Sequence, residues 1–121
     1  MVTKIDKPTL IKAAGNKPKQ IAEYVGRVNS GTKEVSVAKM TSPQGWIEPG
    51  QKPAFDEYTI VLRGTLIVRS NDKEIEIKAG EGVIVKKSEW VQYSTPYEGG
   101  AEYMAICLPA FSLDMVHRDD E

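Results

Sequence analysis

Glu57 lies in the run Phe55-Asp56-Glu57-Tyr58-Thr59-Ile60-Val61-Leu62-Arg63, a carboxylate among β-branched and aromatic residues. A carboxylate in a part-apolar pocket can bind a cation, or act as an acid or base with its pKa raised by burial. The plainer role is a carboxylate held by hydrogen bonds to Tyr93 or Gln51, both of which offer donors and acceptors. Side chains alternate along a strand, so an inward Glu57 takes Thr59 and Val61 with it and turns Asp56 outward. The two adjacent acids then do not converge as the carboxylates of a glycosidase do. Glu57 and Tyr93 are the candidate catalytic residues, as an acid–base pair.

The chain has one histidine, His117, and one cysteine, Cys107. Transition-metal sites built from several imidazoles and a carboxylate are therefore out of reach within one subunit. A hard cation held by Glu57, Gln51 and waters is left open. His117 sits in a C-terminal tail, where exposure is its ordinary state. Cys107 reads as a small buried hydrophobe with no basic neighbour to make it a nucleophile. A lone cysteine forms no internal disulfide and favours a reducing compartment.

The elements that must position these groups are strands. Val35 and Val37 alternate with Ser36 and Ala38. Glu57–Arg63 is rich in β-branched residues. Thr65–Ser70 and Lys73–Lys78 flank Asn71-Asp72, a tight hairpin turn. Val83–Val85, Trp90–Ser94 and Glu102–Leu108 complete the set, which predicts a sandwich or barrel. Ahead of it, Pro8 and Gly15 bracket Thr9–Ala14, and Pro18 and Gly26 bracket Lys19–Val25. Proline in and glycine out predicts two short helical turns. The organisation is an N-terminal segment packed on the barrel (1–33), the barrel itself (34–109) and a tail (110–121). The tail is expected to pack its apolar residues on the barrel and to fray over Asp119–Glu121.

The segment Gly45 to Gly64 has the spacing G-x5-H-x-H-x3-E-x6-G, with Gln51 and Pro53 at the histidine positions and Glu57 at the acid. Gly80 to Thr95 has the spacing G-x5-P-x-G-x2-H-x3-N, with Lys86, Ser88, Val91 and Thr95 at those four positions. These two motifs resemble those of the cupin superfamily. Within it the chain is similar to the small cupins of ethanolamine utilisation, which also carry a Phe-Asp-Glu run and lack the full histidine set. The resemblance implies an all-β fold, a single antiparallel jelly-roll barrel, with a pocket in its mouth. It also implies a metal site that has degenerated, so neither a metal nor another cofactor is expected. Gln51 stands at the first ligand position, and Val91 replaces the inward histidine, which turns Tyr93 inward as well. The expected ligand-binding set is Gln51, Glu57, Thr59, Val61, Val91 and Tyr93. Trp46, Trp90 and Tyr58 line a rim, a core layer or a subunit contact; the sequence leaves these open.

At 121 residues the chain is one domain by length. A net charge of −1 gives no electrostatic reason for a nucleic-acid or membrane partner. Basic residues concentrate before residue 40 and acidic ones after it. The expected lumen shows no cluster of Arg or Lys, which weakens any claim for a multiply acidic substrate. Residues 1–20 have no long apolar run, so the expected location is cytoplasmic. The leading expectation is a small-molecule-binding cupin for a small polar ligand, working as a homodimer. A metal-independent isomerase or lyase acting on a small polar or carbohydrate-like substrate through Glu57 and Tyr93 is the alternative. A structural or assembly module is the third, and whether the chain is an enzyme stays open. A lumen filled by apolar side chains would favour the module.

Overall fold

The computed structural model describes residues 1–119. It is a curled antiparallel sheet of nine strands, consistent with the cupin jelly roll. In chain order these are β1 (Thr9–Ile11), β2 (Gln20–Val25), β3 (Ser36–Ser42), β4 (Trp46–Ile47) and β5 (Asp56–Ser70). Then come β6 (Glu74–Lys78), β7 (Gly82–Val85), β8 (Val91–Thr95) and β9 (Ala101–Leu108). One wall runs β1-β2-β3-β9-β5-β7 and the other β4-β8-β5-β6.

Strand β5 belongs to both walls. Its first half pairs with β9 and β7, from Asp56 opposite Leu108 to Gly64 opposite Ala101. Its second half pairs with β6 and β8. The corner falls at a bulge between Val61 and Arg63 and at Gly64, whose φ is +78°. A Cβ on Gly64 would lie 2.1 Å from the backbone oxygen of Gly100. Bulges and glycines are how a strand changes sheets. The last glycine of the first motif is therefore a crossing point of two backbones. Gly64→Ala is expected to cost about 2 kcal/mol or more, from the left-handed backbone and the clash together. An unchanged urea midpoint would contradict this.

The expected helical turns are not there. Thr9–Ile11 and Gln20–Val25 are strands, joined to the sheet by β2 pairing with β3 from Gln20–Thr41 to Val25–Val37. A helix of six residues has little stability of its own. A full row of ladder bonds to β3 and burial of Ile21 and Ala22 outweigh it. Among the described residues the only helical element is a 3-10 turn at Leu113–Met115. The hairpin at Asn71-Asp72 forms as expected, with Arg69 opposite Glu74.

The main core packs Trp46, Leu66, Val68, Ile77, Val61 and Val91 between the walls. A smaller cluster joins Phe55, Cys107 and Val116, with Phe111 edge-on to Phe55 at 6.1 Å. The tail thus seals one side of the barrel. Asp119 does not fray. Its N–H donates to the Gly50 carbonyl, and its carboxylate accepts from Trp90 Nε1. Asp120 and Glu121 lie outside the described residues.

Candidate functional site

A cavity of about 60 Å³ lies between the walls. On this measure one water needs about 10–15 Å³, so roughly four to six water-sized positions are available. Four of the expected residues line it: Gln51, Glu57, Thr59 and Tyr93. Val61 and Val91 do not. Both are buried and inward, but they sit in the packed core, at 1% exposure each. Parity gives the side of a strand a residue faces, not its depth along the barrel.

Tyr93 Oη donates to Glu57 Oε1 at 2.9 Å, so the expected pair is formed. Cys107 Sγ stands 3.9 Å from Glu57 Oε2. Burial pushes the Glu57 carboxyl above the ordinary range; Tyr93, Lys19 and Cys107 pull it back without cancelling that. Burial, reinforced by Glu57, holds the Tyr93 phenol well above its usual value, so it serves as a donor. Burial likewise raises the Cys107 thiol, which is no nucleophile.

Four charged groups that the sequence did not place also line this cavity: Lys19, Glu23, Glu48 and Arg118. Where no cluster of Arg or Lys was expected, the cavity holds one of each, Lys19 and Arg118. Lys19 enters because β2 is a strand: Lys19, Ile21 and Glu23 share one parity and all three face the cavity. That alternation was the available signal, hidden by the Pro-to-Gly bracket. Lys19 Nζ lies 4.1 Å from the Trp46 ring centre and 5.3 Å from that of Tyr103. Burial pulls its pKa down, but Tyr103, Glu48 and Glu57 outweigh that and raise it. The Glu48 carboxyl is pushed up to about 7: burial dominates, Lys19 opposes it, Glu57 adds to it and Arg118 opposes it. Glu48 Oε2 is buried with no hydrogen-bond partner among the described residues. Glu23 is different: its Oε2 accepts the N–H groups of Val28 and Asn29, so its charge is spent on the following loop.

Residues 12–19, between β1 and β2, form a strap over the cavity. Ala14 O accepts from Trp46 Nε1 at 3.0 Å, and Asn16 exchanges two bonds with Ile47. A Cβ on Gly15 would lie 2.2 Å from Trp46 Nε1, so only glycine lets the strap lie this close. Trp46 is thus a core residue. Trp90 is half-buried outside, with Arg69 over its ring at 5.3 Å, and Tyr58 is turned away from the cavity. His117 is exposed and does not line the cavity.

The donors at the motif positions do not fit a transition metal. Pro53 and Val91 have no side-chain donor, and Gln51 is a neutral amide. Among the described residues no three His, Cys, Asp or Glu stand close enough together to hold one metal ion. No step is routed through a metal below.

Residues 54–121 match the model of the AraC-like ligand-binding domain. The chain belongs to that family, a cupin-type ligand-binding domain. It is also 39% identical over 101 residues to an endoribonuclease YbeY of Myxococcus xanthus. That match covers 84% of this chain but 34% of the relative, so the chain spans about a third of that protein's length. Among solved structures, the Clostridium difficile EutQ protein superposes with a TM-score of 0.64 at 18% identity, over 76% of this chain and 63% of that one. The polyketide cyclase RemF of Streptomyces resistomycificus gives 0.77 at 13% identity, over 98% and 86%. At such identities these likenesses concern the fold. One barrel carries unrelated functions in these proteins, so activity has to be argued from the site. No helix among the described residues is long and apolar enough to cross a membrane.

Proposed function

We propose that this AraC-like domain binds a small polar molecule inside the barrel, at a site whose metal ligands have been lost. The observation that carries the reading is the convergence of Gln51, Glu57, Tyr93, Lys19 and Glu48 on one cavity between the walls. A purely structural barrel gains nothing from turning several ionisable groups into its lumen, since each costs desolvation. The cavity's size argues against a carbohydrate-like ligand while the strap is down. The test is Glu57→Gln, which keeps the shape and removes the charge. The fold should survive, and retention of the small molecule that co-purifies, measured by mass spectrometry after denaturation, should fall at least tenfold. Unaltered retention, or no co-purifying molecule in either protein, would count against the reading.

The Tyr93–Glu57 hydrogen bond supports a second reading, a metal-independent isomerase or lyase. Glu57 would take a proton from the ligand and Tyr93 would donate one. The raised Glu57 pKa brings a carboxylate nearer the range in which a base works at neutral pH.

We further propose that the protein is cytoplasmic and a homodimer. Val37, Ile106, Tyr58 and Ile84 form one row across four strands on the outer face of the first wall. Ile60, Leu62 and Ile84 are 48%, 48% and 63% exposed on this face. The face is bordered by Lys86–Asp56 and Arg63–Glu102 pairs, charges of both signs that suit a second copy of the same surface. Light scattering should give twice the chain mass at micromolar concentration, and Ile60→Lys should give one. A monomeric wild type would refute the dimer.

A further inference from the structure

We infer that the cavity takes a compact ligand with two unlike ends, an acceptor for Lys19 and a proton-bearing group for Glu48: a small amino or hydroxy carboxylic acid. This rests on the ligand-binding reading and narrows it.

The first ground is charge held apart. Buried ions of opposite sign normally pair, because each unpaired one keeps its full desolvation cost. Lys19 and Glu48 line the same cavity and attract one another, yet no carboxylate lies within 4.0 Å of the Lys19 ammonium among the described residues. The ammonium lies over the Trp46 ring and beside Tyr103, which helps to hold its charge, and Glu48 Oε2 has no hydrogen-bond partner among the described residues. A carboxylate set against Lys19 and an N–H or O–H set against Glu48 would complete both at once.

The second ground is what single-ended ligands would meet. A simple anion at Lys19 stands near Glu48 and Glu57 and is repelled by them when they are ionised. A simple cation at Glu48 faces Lys19 and is repelled in turn. Only a ligand whose charges or dipoles oppose one another meets the right sign at each end.

The third ground is volume. Room for roughly four to six waters admits about half a dozen heavy atoms, which is the size of glycine or lactate. The rest of the lining is largely apolar, with Ala38 and Ala105 beside Ile21, Met40, Phe111 and Val116, and it suits a short carbon stem.

The experiment is isothermal titration of the full chain with glycine, alanine and lactate, against acetate and ethylamine as single-ended probes. At least one two-ended probe should bind tenfold or more tightly than either single-ended one. Lys19→Met and Glu48→Gln should each bring it to the single-ended level. In the wild type, carbon-detected NMR should show the Glu48 carboxyl and the Lys19 Cε shifting together on addition of the binding probe. This readout needs no variant and holds even if a variant fails to fold. Equal binding of acetate or ethylamine, or no shift at Lys19 and Glu48, overturns the inference. If none of the five binds but ethylene glycol or urea shifts the Glu57 and Tyr93 signals, the two-ended class falls and the ligand-binding reading stands. If nothing binds, both fall.

Discussion

Trp46→Ala is expected to remove about 3–5 kcal/mol of stability, the usual cost of truncating a buried aromatic to alanine. Trp46 is 1% exposed and stands in the main core. Its ring also carries the Lys19 ammonium, and its Nε1–H holds the strap at Ala14. A cation over an indole adds about 0.5–2 kcal/mol. Against a total stability of about 5–15 kcal/mol for a domain, the loss is a large fraction. Trp46→Phe keeps most of the burial and a ring face but loses the bond to Ala14, so it should cost much less. The check is urea unfolding followed by circular dichroism. A loss below about 1 kcal/mol for Trp46→Ala would mean that the strap and β2 do not depend on this residue.

The second large effect is on pH dependence. The Glu48 carboxyl ionises at an ordinary value of 4.5 when unfolded and at about 7 when folded. Between those limits the folded protein holds a proton that the unfolded chain has released. Stability therefore falls as pH rises from about 4.5 to about 7, and levels off above. A displacement of this size is worth up to about 3 kcal/mol. Glu57 shifts in the same direction and adds to the slope. Lys19 is raised above 10.5, so its contribution is lost only at much higher pH and does not affect this window. Urea midpoints measured at pH 5 and pH 8 should be higher at pH 5, and Glu48→Gln should flatten most of the difference. A wild type that is more stable at pH 8 would reverse the sign and contradict the dominance of burial over Lys19 and Arg118 at Glu48.

Local pattern was enough for much of the barrel. The turn at Asn71-Asp72 selects its own hairpin, and the motif position at Val91 with strand parity names the inner face of β8. Glu57 and Tyr93 could be expected in one cavity because the motif resemblance sets the inward positions at Glu57 and Val91, and parity then carries Tyr93 inward. Gly64 stood out by motif spacing, and its role as a backbone crossing gives that spacing a physical cause. Other features depended on partners distant in the chain. Residues 9–25 carry proline and glycine at positions that suit helical turns, and only pairing with β3 makes strands of them. With that pairing come the strap, Lys19 and Glu23, the last two among the five charged residues that line the cavity. Glu48 follows the two-residue β4, too short for any periodicity to reveal, and acquires its chemistry from burial beside Lys19 and Glu57. Val61 and Val91 face inward as parity requires, yet they fill the core, because depth along a barrel is set by how its walls close. Alternation and turn chemistry act over a few neighbouring residues and can be read from them. Enclosure, and the electrostatics that enclosure creates, exist only once remote segments meet.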